Sequence, residues 1–509
     1  MGDPLYSKYP DLALAQHIFH ITNPQSSPSA AQASLSALQD AIKTHKMAPL
    51  YRHLAHPVDG IMNAPGEGTA ATGDPTSPAM HQHPGGLRRA SSSAASLLAT
   101  RRPLLRDVGL GWDEELYEGL KRDNEKELEE IQKEEEEAVE KAGETEIQGA
   151  RGKRAEFWTR VGDKDKALAA YETLFENTSI LGTKIDIVLA IIRIGLFFGD
   201  KPFVKKQIER ATSLVESGGD WDRRNRLKAY QGLHLLTVRA HAQAAPLLLD
   251  SLSTFTSYEL CSYAALVVYA VLAGCVALKR VDFKAKVVDA PEIKAILGDD
   301  GADRLSALSG AVSSGPSAGD EEMPDTGKST ASATPAAASA HTTAVNLTTL
   351  GQSQAEASDA ASAVDFGPLA RLVGSLYAGH YRGFFGALAQ VEERFLAQDR
   401  YLYEHKNWFV REMRLRAYQQ LLQSYRVVGL ESMARDFGVS VDFLDRDLAK
   451  FIAAGRVPCT IDKVKAVIET NRPDDKNKQY NDVVKQGDQL ITKLQKYGQT
   501  VRLRGSERG

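Results

Sequence analysis

Two short patterns carry residue types that could do chemistry. Gly315-Pro316-Ser317-Ala318-Gly319 has the spacing of a nucleophile elbow. An elbow needs a strand before the serine and a helix after it, to strain the turn and lift the hydroxyl out. Here the pattern lies in a run of Ala, Ser, Thr and Gly that offers neither, so Ser317 is not read as catalytic. His81-Gln82-His83 has the paired histidines of a zinc hydrolase, with Ser91 beyond them. The position where a carboxylate should follow is Ala94. A zinc site also needs ligands converging from rigid elements, with hydrogen-bonded support behind them. Phosphate-loop, dinucleotide-loop and H-E-x-x-H patterns are absent. Cys261, Cys275 and Cys459 are too few and too scattered for a disulfide framework or a four-cysteine metal site, and suit a reducing compartment. The reading is therefore no enzyme, no cofactor, and no catalytic, cofactor-binding or metal residue.

The chain has 509 residues, of which 43% are hydrophobic and 25% charged, with a formal net charge of −4. That length exceeds one ordinary core, and that charge excludes a generally basic nucleic-acid binder. No secretory signal opens the sequence. Leu260–Leu278 holds no charge over a span long enough to cross a bilayer, but it is rich in Ala, Gly, Ser, Cys and Tyr and follows Glu259. It is expected to be the buried helix of a soluble core, apolar on every side.

Residues 52–111 and 284–365 contain no aromatic residue. Their low content of large apolar groups predicts two disordered insertions, at 57–104 and 301–363. A helical segment occupies 1–56. The stretch 105–147 carries an acidic helix; within it Asp113–Glu146 holds 16 acidic and 5 basic residues. A thin stripe of Leu116, Leu120, Leu128 and Ile131 is its only apolar face, so most of its surface is expected to be solvated.

From 148 to 300 a repeat emerges. Gly162-Asp163-Lys164 recurs as Gly199-Asp200-Lys201, and a third break falls near Arg239–Gln243. Ala167, Leu168, Tyr171, Leu174 and Phe175 share one helical face. Helical hairpins of this period predict a tetratricopeptide-like α-solenoid, each pair burying its face on the next. Residues 364–472 then hold the end of the solenoid, including a hairpin over Asp365–Gln398 and a long helix over Lys406–Tyr425. They close with two short helices, Glu431–Phe437 and Val441–Ala454. β-Branched runs Val457–Ile461 and Val464–Ile468 follow, with Asp462-Lys463 as the turn, and together these describe a winged helix. Residues 473–509 form a terminal helix and tail. Tyr480, Val484, Ile491 and Leu494 make one apolar series on it, and Val483, Leu490 and Tyr497 recur every seven residues, which suits a helical bundle. A winged helix raises the nucleic-acid alternative. The helix that would enter a groove carries Asp442, Asp445 and Asp447 against Arg446 and Lys450, which argues against it.

Helical repeats leading into a winged helix resemble the PCI module shared by the proteasome lid, the COP9 signalosome and translation initiation factor 3. GGDWDRRNRLKAYQGL (Gly218–Leu233), STFTSYEL (Ser253–Leu260), FIAAGRVPCTIDKV (Phe451–Val464), ETNRPD (Glu469–Asp474) and His45-Lys46-Met47-Ala48-Pro49 are similar to phrases of the 26S proteasome's non-ATPase regulatory subunit 6 family. The likeness covers 10–54, 112–298 and 366–497 and departs at the two insertions. The resemblance implies a PCI domain over about 250–470, interrupted by the second insertion. It also implies a non-catalytic scaffold subunit of the regulatory-particle lid, supporting assembly and ubiquitin-dependent degradation in cytoplasm and nucleus. The implied partners are other PCI and MPN subunits and the ATPase base, with no nucleic acid, membrane or small-molecule substrate. A COP9 signalosome PCI subunit is the alternative. The candidate partner-binding residues are Val457, Cys459 and Ile461 at the sheet edge, and Val484, Leu490, Ile491 and Leu494 on the terminal helix.

Overall fold

The computed structural model describes residues 9–57, 60–62, 110–141, 143–297, 365–471 and 475–506. Ser317, the His81/His83 pair and the two insertions at 57–104 and 301–363 fall almost wholly outside these residues. The chain forms two compact units, one of Met1–Tyr377 with Gly386–Arg411, the other of Ala378–Phe385 with Glu412–Gly509.

In the first unit α1 (Leu12–Thr22), α2 (Pro28–Thr44) and α3 (Ala48–Ala55) precede α4 (Glu114–Lys141) and α5 (Glu144–Val161). Asp11 and Ser27 cap α1 and α2 by accepting from backbone amides inside the first turn. The acidic stretch expected as one helix over 113–146 is thus two, with Gly143 as the extended cap of α5. Glycine costs about 1 kcal/mol in a helix interior and suits a boundary. Most of the acidic face is exposed, as expected, and part of it is paired. Glu135 accepts from Arg151 (3.3 Å) and Arg154 (3.1 Å), Glu134 pairs with Lys153 (2.7 Å), and Glu127 with Arg160 (2.5 Å). The carboxylates of α4 therefore staple α5 against it.

The repeat follows as α6 (Lys164–Asn177), α7 (Leu181–Phe198), α8 (Lys201–Gly218), α9 (Trp221–Thr237), α10 (His241–Ser251) and α11 (Tyr263–Ala277). Gly162 and Gly199 stand at φ +87° and +74°, the left-handed turn that ends α5 and α7. Asp163 and Asp200 then cap α6 and α8, accepting from Lys166 N and Phe203 N at 3.2 Å. Lys164 bridges to Asp200 at 3.1 Å, tying one turn to the next. Arg239 takes the same left-handed conformation (φ 65°) at the third break, where no glycine is present. The basic run at 222–228 spends most of its charge inside the repeat. Arg223 grips Asp186 through two bonds, Arg226 reaches Asp222 and Glu259, and Lys228 pairs with Asp250.

Helix α11 is the uncharged segment expected to be buried, and it is buried from Ala264 to Cys275. Among the described residues no helix is long and apolar enough to cross a membrane. After α12 (Arg280–Phe283) and α13 (Pro291–Leu297) come α14 (Gly367–Ala378), α15 (Tyr381–Val391) and α16 (Lys406–Ser424). The segment between α15 and α16 closes the core of the first unit. Asp399, fully buried, accepts from Tyr269 Oη of α11 (2.8 Å), Tyr401 N (2.8 Å) and Leu402 N (3.0 Å). Arg400 donates to Phe197 O at the end of α7, and its own amide donates to Gln16 of α1. Gln16 Nε2 donates back to Gln398 O at 2.6 Å.

The second unit contains β1 (Val427–Gly429), α17 (Leu430–Phe437), α18 (Val441–Ala453), β2 (Cys459–Asp462), β3 (Val467–Thr470) and α19 (Asp475–Ser506). The three strands form an antiparallel sheet in the order β1-β3-β2. Helix, turn, helix and β-hairpin make the expected winged helix. Strand β1 has no counterpart among the sequence expectations, because Val427-Val428-Gly429 directly follows a helical run. Its three residues are held in place by pairing to β3, which is distant in sequence. The hairpin is also displaced from its expected position: the turn is Lys463–Ala466, and Val464 lies in it rather than in a strand. Asp462 Oδ1 accepts from Val464 N (2.9 Å) and Lys465 N (3.2 Å), so the aspartate folds the next residues into the turn.

Candidate assembly surface

The winged helix is held by an aromatic nucleus. Phe437 stacks on Tyr381 at 4.5 Å, meets Phe385 edge-on at 5.3 Å and lies 5.0 Å from Tyr418. Gly438 (φ 68°) ends α17, and Ser440 caps α18 by accepting from Phe443 N. That rigid turn fixes which charges α18 shows. Asp447 points inward, accepting from Tyr418 Oη (3.2 Å) beside Arg414 (3.6 Å), and burial beside this carboxylate pushes the Tyr418 phenol upward. Asp445 is paired to Lys463 of the hairpin at 2.9 Å. Among the described residues Asp442, Arg446 and Lys450 are the charges of α18 outside an ion pair, a thin charge for a phosphate backbone.

The hairpin presents β2 as an edge strand of the sheet. Asn471 N donates to Pro458 O, so Pro458 lies opposite Asn471 in a hydrogen-bonded pair. The register then alternates: Thr460 and Asp462 bond inward to Glu469 and Val467, and the peptide groups of Ile461 face the outer edge. Of the three residues singled out at this edge, the side chains of Val457 and Cys459 are buried within the unit, and Ile461 is half-buried. Burial also pushes the Cys459 thiol up, away from ionisation. A partner at this edge would meet backbone, together with the exposed side chain of Thr460, rather than Val457 or Cys459 themselves.

Helix α19 places Val484, Leu490, Ile491 and Leu494 on one face, and every described side chain from Gln479 to Arg502 is exposed. Leu490 is 63% and Leu494 62% exposed. At about 100° per residue the apolar positions Tyr480, Val483, Val484, Leu490, Ile491, Leu494, Tyr497 and Val501 fall within an arc of about 140°. Asp482, Lys485, Asp488, Lys493 and Lys496 lie outside it. The helix runs on past Tyr497 to Ser506, and Val501 extends the stripe. The signal for this is in the spacing, since Val501 lies seven residues beyond Leu494. Gly487 and Gly498 fall within the arc, and a β-carbon built on either meets nothing.

Among the described residues no group of three or more His, Cys, Asp or Glu is placed to hold a metal. Cys261 and Cys275 are buried and form no disulfide, and burial, with Glu259 nearby, raises the Cys261 thiol. The buried polar centre at Asp399 touches helices of its own unit and serves packing.

Repeated helical hairpins, followed along the chain by a winged helix, define a PCI-domain protein, and residues 388–472 match the PCI domain model. Residues 113–286 match the model of 26S proteasome subunit RPN7, and 479–501 that of the 26S proteasome regulatory subunit RPN7/PSMD6 C-terminal helix. The chain is 35% identical to the 26S proteasome regulatory subunit rpn7 of Schizosaccharomyces pombe over 496 residues, covering 97% of each. It is 34% identical to the regulatory subunit RPN7 of Saccharomyces cerevisiae, covering 99% of this chain and 96% of that protein. With the 26S proteasome non-ATPase regulatory subunit 6 of Dictyostelium discoideum it shares 33% identity, covering 98% and 99%. The chain belongs to the 26S proteasome regulatory subunit RPN7 family, also called non-ATPase regulatory subunit 6.

Proposed function

We propose that the chain is a non-catalytic scaffold of the proteasome's regulatory-particle lid, acting in cytoplasm and nucleus in support of ubiquitin-dependent degradation. In this reading it binds other PCI and MPN subunits and the ATPase base through the outer edge of β2 and the apolar arc of α19. The observation that carries the proposal is α19 itself. A helix with a continuous apolar arc and no cover is a docking element, because burying each large aliphatic side chain is worth about 1.5–3 kcal/mol.

The test is affinity purification of the tagged chain from native lysate, alongside the double variant Leu490→Asp, Leu494→Asp. Wild type is expected with lid subunits. The variant is expected to keep its circular dichroism and to lose lid assembly, since two carboxylates would be forced into an apolar bundle. Recovery with COP9 signalosome subunits in place of proteasome subunits would overturn the assignment, and normal incorporation of the variant would overturn the role of α19.

A further inference from the structure

The turns that open α7, α9 and α11 lie along one edge of the repeat and carry three large side chains that, among the described residues, no neighbour covers. Ile180 is 56% exposed, Trp221 66% and Tyr258 64%. The turns that bear Trp221 and Tyr258 are tied to the repeat. Arg223, two residues after Trp221, bonds Asp186 of α7 through Nε (2.9 Å) and Nη2 (2.5 Å), locking the start of α9 to α7. Thr256 Oγ1 donates to Asp222 (2.9 Å), which fixes the loop bearing Tyr258 to the same turn. Phe255 lies 5.3 Å from Tyr258 and 6.2 Å from Tyr263 at the start of α11, completing the link. Exposed Trp and Tyr on anchored turns with a polar surround are among the residue types that dominate binding energies at protein interfaces.

Charge identifies the occupant. Across the three turns, residues 176–186, 216–228 and 250–259 hold seven carboxylates (Glu176, Asp186, Glu216, Asp220, Asp222, Asp250, Glu259) and five cations (Lys184, Arg223, Arg224, Arg226, Lys228), a net of 5 − 7 = −2. Arg223, Arg226 and Lys228 are shared among five of those carboxylates (Asp186, Asp220, Asp222, Glu259 and Asp250), so negative charge stays in excess within the pairs. Lys184 sits over the Phe175 ring, and of the five cations Arg224 alone is exposed and outside an ion pair or ring contact among the described residues. Glu176 and Glu216 are exposed on the same terms. An acidic rim around bare indole and phenol faces favours arginine or lysine, which pair with carboxylates and stack on aromatic rings. We propose that this edge binds a basic, apolar-anchored peptide segment of another protein, with Trp221 as its anchor. The proposal is independent of the role given to α19.

The experiment uses the full-length chain alone, immobilised, and a display library of random 15-residue peptides, with recovered peptides ranked by fluorescence anisotropy. Enriched peptides are expected to carry Arg or Lys beside Leu, Ile or aromatic residues. Trp221→Ala should weaken them by about tenfold or more, in the range of an anchor residue, while Trp221→Phe keeps most of the binding. Glu216→Lys should weaken them further, and more at low salt than at high salt. Enrichment of acidic or uncharged peptides, or affinities equal in wild type and Trp221→Ala, would overturn the proposal. Trp221 is exposed, so its replacement is not expected to unfold the chain, and unchanged circular dichroism checks that.

Discussion

Replacing Asp399 should reveal what holds the first unit together, and the outcome depends on which residue replaces it. Its carboxylate accepts three hydrogen bonds, from Tyr269 Oη, Tyr401 N and Leu402 N, in a fully buried site. Asp399→Ala strands three donors, each at a cost of about 1–3 kcal/mol. Against that stands the penalty of burying the charge. Burial lifts the Asp399 carboxyl from 3.8 to about 6, with the three hydrogen bonds opposing it, a gap worth about 3 kcal/mol at neutral pH. The net loss for alanine is then about 3 kcal/mol, from the middle of that range. An asparagine side chain in the same place would keep the carbonyl that receives both amides, drop the charge and let the Tyr269 hydroxyl turn to accept. Asp399→Asn should therefore be close to neutral at pH 7.

The sign of the pH dependence distinguishes the two contributions. Because the folded pKa lies above the unfolded one, the native state holds the proton more tightly between pH 3.8 and about 6. The stabilising difference is present in full below that window and is lost as pH rises through it. His20 and His241, both lowered to about 4 by burial first, act in the opposite direction across pH 4 to 6.5. Comparison with Asp399→Asn cancels them. Urea midpoints followed by far-ultraviolet circular dichroism at pH 4.5 and 7 should show Asp399→Asn gaining on wild type as pH rises. Parallel midpoints for the two proteins, or Asp399→Ala within about 1 kcal/mol of Asp399→Asn at pH 7, would refute the account.

Two further substitutions address the turns and the sheet edge. Gly199→Ala should cost about 1–2 kcal/mol by urea unfolding, because φ +74° is a left-handed conformation that a β-carbon opposes. Ile461→Pro removes an amide that faces outward from β2, so the isolated chain should keep its stability while its incorporation into the lid falls; unimpaired incorporation would show that this edge pairs with nothing.

Much of the architecture is legible in the sequence because its signals are local. Gly162-Asp163 and Gly199-Asp200 each place a left-handed glycine before a capping aspartate, and those two residue types can be read without a structure. The unbroken apolar surface of Tyr263–Ala277 likewise announces a buried helix. What escapes depends on distance or on competition. The bond between Gln16 and Gln398 joins residues 382 apart, and neither amide carries a mark of its partner. Strand β1 is too short to show alternation. Val464 is β-branched and reads as strand, but the Asp462 carboxylate two residues earlier captures its amide. Trp221 lies in a phrase dominated by charges that largely pair within the repeat, and nothing in the phrase says that the tryptophan faces outward.

The two glycines on α19 separate helix formation from docking. A helix of 32 residues is long enough to persist, yet with its apolar arc exposed most of its stabilisation must come from whatever covers it. Gly487→Ala and Gly498→Ala each add about 1 kcal/mol of helix propensity, and a β-carbon at either position meets only open space in the isolated chain. Propensity alone would therefore raise both helicity and assembly. Both glycines lie within the arc, where the absence of a side chain lets a neighbouring helix approach closely. The expected result is higher helicity in the isolated chain and poorer incorporation into the lid. Incorporation that improves in step with helicity would mean that no partner backbone approaches these positions, and that contact is carried by the large side chains between them.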